Sequence, residues 1–122
     1  MGSIPEFLLQ KLYVKGSLRN TATGFELTIQ NTLAPGTIVG FPPLQVDGVE
    51  CPLENTSAVL PDGSKASALN VSAESPMRFG INDKVQIEVK GQPLPPGPHK
   101  LTISAKTREA GLLQIPATDT VS

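Results

Sequence analysis

The first candidates for chemistry in this 122-residue sequence are its one histidine, His99, and its one cysteine, Cys51. His99 ends the run QPLPPGPH, Gln92 to His99, and opens the alternating stretch HKLTISAK. An imidazole titrates near neutrality and can act as a general acid or base. That role needs an orienting carboxylate, and the spacing does not place one beside it. A metal site needs several ligands, and one His with one Cys far apart in sequence supplies too few. His99 is therefore carried as a candidate functional residue beside its plainer reading. In that reading it is a partly buried residue at the start of a strand, hydrogen-bonded at one ring nitrogen.

Cys51 lies between Glu50 and Pro52, and neither is the cation or helix N-terminus that lowers a thiol pKa. It reads as structural. The carboxylates Asp47, Glu50, Glu54, Asp62 and Asp83 form no spaced cluster, and most fall in turn sequences where aspartate serves the backbone. Asn55-Thr-Ser57 and Asn70-Val-Ser72 match the glycosylation pattern but read as polar loops. Pro93-Leu-Pro-Pro96 has the form of a polyproline ligand without a basic anchor nearby. Lys106-Thr-Arg-Glu109 reads as a solvated strand end. No phosphate loop, cysteine pair or nucleophile elbow is present. No catalytic, cofactor-binding or metal-binding residue is assigned, and no cofactor is expected on this chain.

Apolar residues in turn-rich contexts are the more suggestive set. Phe7-Leu-Leu9, Ile38 to Leu44 and Gly111 to Pro116 each mix aliphatic or aromatic side chains with turn formers. Two readings stay open. These residues fill the core and sheet edges, or some of them (Phe7, Leu8, Phe41, Leu44, Leu112 and Leu113) form a docking surface for a partner.

The elements that must position these residues are strands. Phe25, Leu27 and Ile29 alternate with polar residues, as do Val85, Ile87 and Val89, and then Leu101, Ile103 and Ala105. Period two means one buried and one wet face per strand, and it puts His99 on the inward face. Leu12 to Leu18, Gly36 to Val46 and Gly111 to Thr118 are weaker strands, with Pro42-Pro43 expected at an edge, bulge or bend. Val46-Asp-Gly-Val49 predicts a hairpin with a primed turn. Only Ser64 to Leu69 offers a turn of helix. Seven to nine short strands with frequent turns predict an all-β antiparallel sandwich, immunoglobulin-like or jelly-roll-like.

The bulk properties set limits on function. The length suits one domain spanning residues 1–122, able to bury roughly two-thirds of its unfolded surface. Ten basic against eleven acidic residues, with no charge runs, argue against nucleic acid or a membrane surface as partner. No Trp, one Tyr and four Phe leave little for stacking sugars. The lone cysteine and the absence of a secretory leader pattern point to the cytoplasm. Met1-Gly-Ser3 reads as a cloning remnant. Gly2 fits the myristoylation position, but Pro5 and Glu6 argue against that use.

Three stretches together resemble the small β-subunit of bacterial C-glycoside deglycosidases and its uncharacterised relatives. They are GSLRNT to GFEL (Gly16 to Leu27), LQVDGVECPLE (Leu44 to Glu54) and PLPPGPHKLTISAKTREAGLLQIPATDTV (Pro93 to Val121). The likeness covers most of the chain. It implies a β-sandwich that associates with and stabilises a larger, sugar-isomerase-like barrel, the α-subunit. That partner would carry a divalent metal and the acid–base residues of a carbon–carbon lyase complex. No family catalytic residue maps onto this chain, so the expected role is that of a non-catalytic subunit. The alternative is a self-assembling, homo-oligomeric interaction domain without catalytic activity.

Overall fold

Alternating side chains need a sheet with one covered face, and the computed structural model, which describes residues 4–122, contains two such sheets. A short helix, α1 (Glu6–Gln10), precedes β1 (Arg19–Asn20), β2 (Gly24–Gln30), β3 (Gly36–Gly40), β4 (Gln45–Val46) and β5 (Val49–Glu50). Then come β6 (Thr56–Val59), β7 (Lys65–Ser67), β8 (Met77–Phe79), β9 (Lys84–Lys90), β10 (Gly97–Thr107) and β11 (Gly111–Val121). One sheet has the order β1-β2-β9-β6-β7. The other runs β5-β4-β10-β3-β8, with β11 also paired to β10. All pairings are antiparallel.

The inward sets are those the alternation predicts. Leu27, Ile29 and Val85 are fully buried from the first sheet; Ile38, Leu101 and Ile115 meet them from the second. Each such side chain contributes about 1.5–3 kcal/mol by leaving water. On β10 His99, Leu101, Ile103 and Ala105 are buried in alternation, with Ser104 and Thr107 buried besides, so His99 does share the inward phase. Opposite them on β11 lie Asp119, Ala117, Ile115 and Leu113.

Pro42-Pro43 falls in a break. β3 and β4 both pair with the same edge of β10, β3 through Lys106 and Thr107 and β4 through Leu101 and Thr102. The residues between them leave the ladder, since proline cannot donate to it. The predicted hairpin also forms: Asp47 and Gly48 both have positive φ, 53° and 83°, as a primed turn requires.

Other expectations need correction. Among the described residues there are eleven strands where seven to nine were expected, because the middle of the chain supplies β6, β7 and β8. Leu12 to Leu18 makes only an isolated bridge, Tyr13 to Ile29, before Gly16 turns the chain at φ 85°. Ser64 to Leu69 is not helical: Lys65–Ser67 pairs with β6, and a 3-10 turn follows at Ala68–Asn70. The real helix, α1, is too short to show a helical period. It starts after Pro5, whose carbonyl accepts from the amides of Leu8 and Leu9. The Met1-Gly-Ser3 readings lie outside the described residues.

Gly24 opens β2 against β9 with no room for a side chain. A Cβ there would stand 1.9 Å from the Val89 carbonyl oxygen. Gly24→Ala must push apart two central strands, so it should lower stability by roughly 2–4 kcal/mol. Urea unfolding checks this, and an unchanged midpoint would show that the pairing is looser than described.

Candidate functional site

β10 carries His99 into the sandwich between two turns, and both turns bind it. Nδ1 lies 2.7 Å from Oδ2 of Asp47, at the tip of the β4–β5 hairpin. Nε2 lies 2.7 Å from the Pro95 carbonyl oxygen in the proline-rich loop. A carbonyl only accepts, so Nε2 must carry a proton. An ionised Asp47 also only accepts, so Nδ1 must carry the second. The arrangement is complete only for an imidazolium. The hydrogen bond to Asp47 and then that to Pro95 raise the His99 pKa above its ordinary value. Reciprocally, the bond from His99 and then the Lys100 amide hold Asp47 below the usual carboxylate range.

The local backbone fixes this geometry. Asp47 and Lys100 exchange bonds: the Asp47 amide donates to the Lys100 carbonyl at 2.7 Å, and the Lys100 amide donates to Oδ1 of Asp47 at 2.9 Å. The proline-rich loop is tied down separately by Asn20. Its Oδ1 accepts from the Leu94 amide, and its Nδ2 donates to the Leu94 carbonyl. The orienting carboxylate that spacing could not place is thus Asp47. His99 makes two ring hydrogen bonds rather than one. With 6% exposure and both nitrogens occupied, it has no free atom for a substrate proton or a metal.

A second polar knot lies nearby, at the position opposite His99 across the β10–β11 ladder. Oδ2 of Asp119 accepts from the Tyr13 hydroxyl at 2.5 Å and the Gly16 amide at 2.8 Å, with a longer bond from Leu18. Oδ1 accepts from the Thr120 amide at 2.9 Å. Burial works against the Asp119 charge, but the Tyr13 hydroxyl and these amides outweigh it and hold the carboxyl below its usual range. Burial, with the Asp119 bond, pushes the Tyr13 phenol up. Sequence reasoning passed over Asp119. Its signal was the inward phase it shares with Ile115 and Ala117.

The remaining candidates do not converge. Cys51 is half-buried, and burial raises its pKa, so the thiol stays protonated at neutral pH. Among the described residues no three of His, Cys, Asp and Glu gather as a metal site. An open groove of about 670 Å³ runs past α1 and the β4–β5 turn, bordered by Glu6, Tyr13, Lys15, Gly48, Lys100 and Thr118. His99 does not line it. Of the apolar set, Phe7 and Leu112 are exposed, while Leu8, Phe41 and Leu113 are half-buried. Leu44 is 3% exposed and belongs to the core. After Pro43 the chain turns back into β4, and this carries Leu44 inward, off any docking surface. Exposed Val49, Leu69 and Ile81 were not anticipated. Val49 in the two-residue β5, Leu69 in a single 3-10 turn and Ile81 in a loop belong to stretches too short to carry a period that would reveal their exposure.

Comparison with known proteins adds one finding: the family model described as hydroxymethylglutaryl-CoA reductase, N-terminal domain, matches residues 8–122. No curated protein matches the chain. The family match overturns the likeness to the deglycosidase β-subunit. With it go the lyase complex, the sugar-isomerase-like barrel and that barrel's metal. The short stretches behind that likeness, a primed Asp-Gly hairpin and a proline turn into a strand, are answers to backbone geometry that unrelated sandwiches share. The match lends no support to the self-assembling domain either.

The two knots give stability opposite pH limits. A raised His99 pKa stabilises the fold fully below about pH 6.5, and this is lost as pH climbs through the raised value. Lowered Asp47 and Asp119 pKa values stabilise it above about pH 4, and this is lost as pH falls through them. Thermal unfolding across pH should therefore give a plateau between these limits. His99→Gln should flatten the alkaline fall and shrink the Asp47 share of the acid fall while leaving that of Asp119, and an unchanged alkaline limb would refute the imidazolium. Asp119→Ala strands the buried Tyr13 hydroxyl and Leu18 amide and should cost roughly 3 kcal/mol; Tyr13→Phe should cost about 1 kcal/mol. Chemical denaturation of the pair checks that order.

Proposed function

We propose a docking role for this chain, which belongs to the hydroxymethylglutaryl-CoA reductase N-terminal domain family. In this reading it is one sandwich domain that binds the rest of a reductase and leaves the reduction to that partner. The observation that carries the reading is the state of His99. Both nitrogens of the one imidazole are committed to holding two turns together. A family named for an N-terminal domain supports a protein partner, since such a domain works beside other regions of a larger enzyme. No cofactor is assigned to this chain.

Phe7 on α1 and Leu112 on β11 are the surface residues we assign to docking. Both are large, apolar and more than half exposed, at 62% and 52%. Leu112 lies beside Ile4, Leu9 and Pro116 across a shallow depression that Glu6, Thr102 and Gln114 also line. Among the described residues no helix is long and apolar enough to cross a membrane. We place the domain in the cytoplasm with its partner.

Calorimetric titration against a hydroxymethylglutaryl-CoA reductase from the same source, supplied as a separate chain, tests the proposal. Binding is expected, and Phe7→Ser with Leu112→Ser should weaken it about tenfold or more. His99→Gln should leave affinity near the wild-type value wherever the domain is folded. Absence of heat at high protein concentration would overturn the docking role. So would reductase activity in the isolated chain that His99→Gln abolishes.

A further inference from the structure

Residues 92–96 form a strap that few bonds hold down. Pro93, Pro95 and Pro96 have no amide to donate. Among the described residues, Gln92 to Pro96 make no backbone–backbone hydrogen bond. Side chains hold the strap instead. Asn20 engages both the amide and the carbonyl of Leu94, at 2.8 and 2.9 Å, and Nε2 of His99 engages the Pro95 carbonyl at 2.7 Å. Leu94 also packs, half-buried, against the core. Pro95 and Pro96 are exposed, so their half of the strap hangs on the imidazole.

Both ends of the strap can pivot. Gly91 and Gly97 bracket it at φ 148° and 118°, conformations that other residues rarely adopt. Among the described residues nothing lies within 4 Å of where a Cβ would stand on either, so each has room to turn. The prolines between them keep φ fixed, and the segment moves as a stiff piece. The other turn bound to His99 cannot retreat in this way. Asp47 is anchored by its own amide on the Lys100 carbonyl and by the Lys100 amide on Oδ1, in a hairpin paired to β10.

When the imidazolium loses a proton, one of its two acceptors must face a bare nitrogen lone pair. On the Nδ1 side that acceptor is an ionised, anchored carboxylate. On the Nε2 side it is a neutral carbonyl on a hinged strap. A bond to an ionised group is about twice as strong as a neutral one, so the proton leaves from Nε2. The other charges near the ring do not reverse this choice. Lys100 is exposed, Arg19 beside Asn20 pairs with Glu26, and Asp119 across on β11 is occupied by Tyr13, Gly16, Leu18 and Thr120. The strap itself has no ionisable side chain.

We propose that Gln92–Pro96 is a proton-operated strap, closed on the His99 imidazolium and released at Pro95 and Pro96 when Nε2 loses its proton. The released half turns on Gly97 and lets water reach the bare nitrogen, while Leu94 stays on Asn20. The bonds to Asp47 and Pro95 raise the His99 pKa, so the strap is closed below about pH 6.5 and opens as pH climbs through the raised value. It operates whether or not a partner is docked.

NMR of the whole chain between about pH 6 and about pH 9, well below the unfolding temperature, tests this. Imidazole nitrogen shifts should show Nε2 losing its proton while Nδ1 keeps its own. Over the same range the Cα–H order parameters of Pro95 and Pro96 should fall from about 0.85 to below about 0.6, while those of Asp47, Gly48 and Leu94 hold. His99→Gln should remove the pH dependence at Pro95 and Pro96, and Asn20→Ala should extend the fall to Leu94. If either variant does not fold, the wild-type titration decides alone. Proton loss at Nδ1, with order lost at Asp47 and Gly48, overturns the strap. So does a ring still doubly protonated at the alkaline end, or an order at Pro95 and Pro96 that does not change with pH. Loss of order at Leu27 and Val89 in step with the strap is unfolding of the whole domain, and it overturns the local release as well.

Discussion

A buried carboxylate with four donors holds one side of this sandwich together. Asp119 sits at the end of β11, and the groups it binds come from Tyr13, Gly16, Leu18 and Thr120. The first three belong to the segment that crosses from α1 toward β1, beside the edge of the other sheet. Apolar packing alone would let two sheets slide over each other, because hydrophobic attraction has no direction. A charge with a fixed set of donors does have direction, and displacing it strands buried polar groups. The His99 pair has the same role on the neighbouring strand, fixing the hairpin tip and the proline loop against β10.

These knots account for the distribution of polar residues in the core. Of the few buried polar side chains, Glu26 meets Arg19 and Gln86, and Asn31 bonds the backbone at Leu33, Ala34 and Phe79. Among the described residues no buried side-chain nitrogen or oxygen lacks a partner. The polar groups inside this domain are thus committed to its architecture.

The central strands were legible because their faces differ: β2, β9 and β10 each alternate between core and water, and the sequence states the alternation directly. The primed turn at Asp47-Gly48 was legible for a similar reason, since positive φ selects its residues. What escaped were elements without a period. α1 has barely more than one turn, and β6, β7 and β8 are short and flanked by loops. His99 was placed on the correct face, yet its partner Asp47 was visible only as a turn residue. Contacts between turns distant in sequence leave no local trace. The family was misjudged for the opposite reason. Local traces were plentiful, and many sandwiches would leave the same ones.

The chain has a single tyrosine and no tryptophan. That tyrosine is Tyr13, whose hydroxyl donates to Asp119. The near-ultraviolet spectrum of the protein is therefore dominated by one phenol in one hydrogen bond. The domain thus carries a single-site optical label at the seam between its sheets, so absorbance alone can follow that seam without any introduced dye.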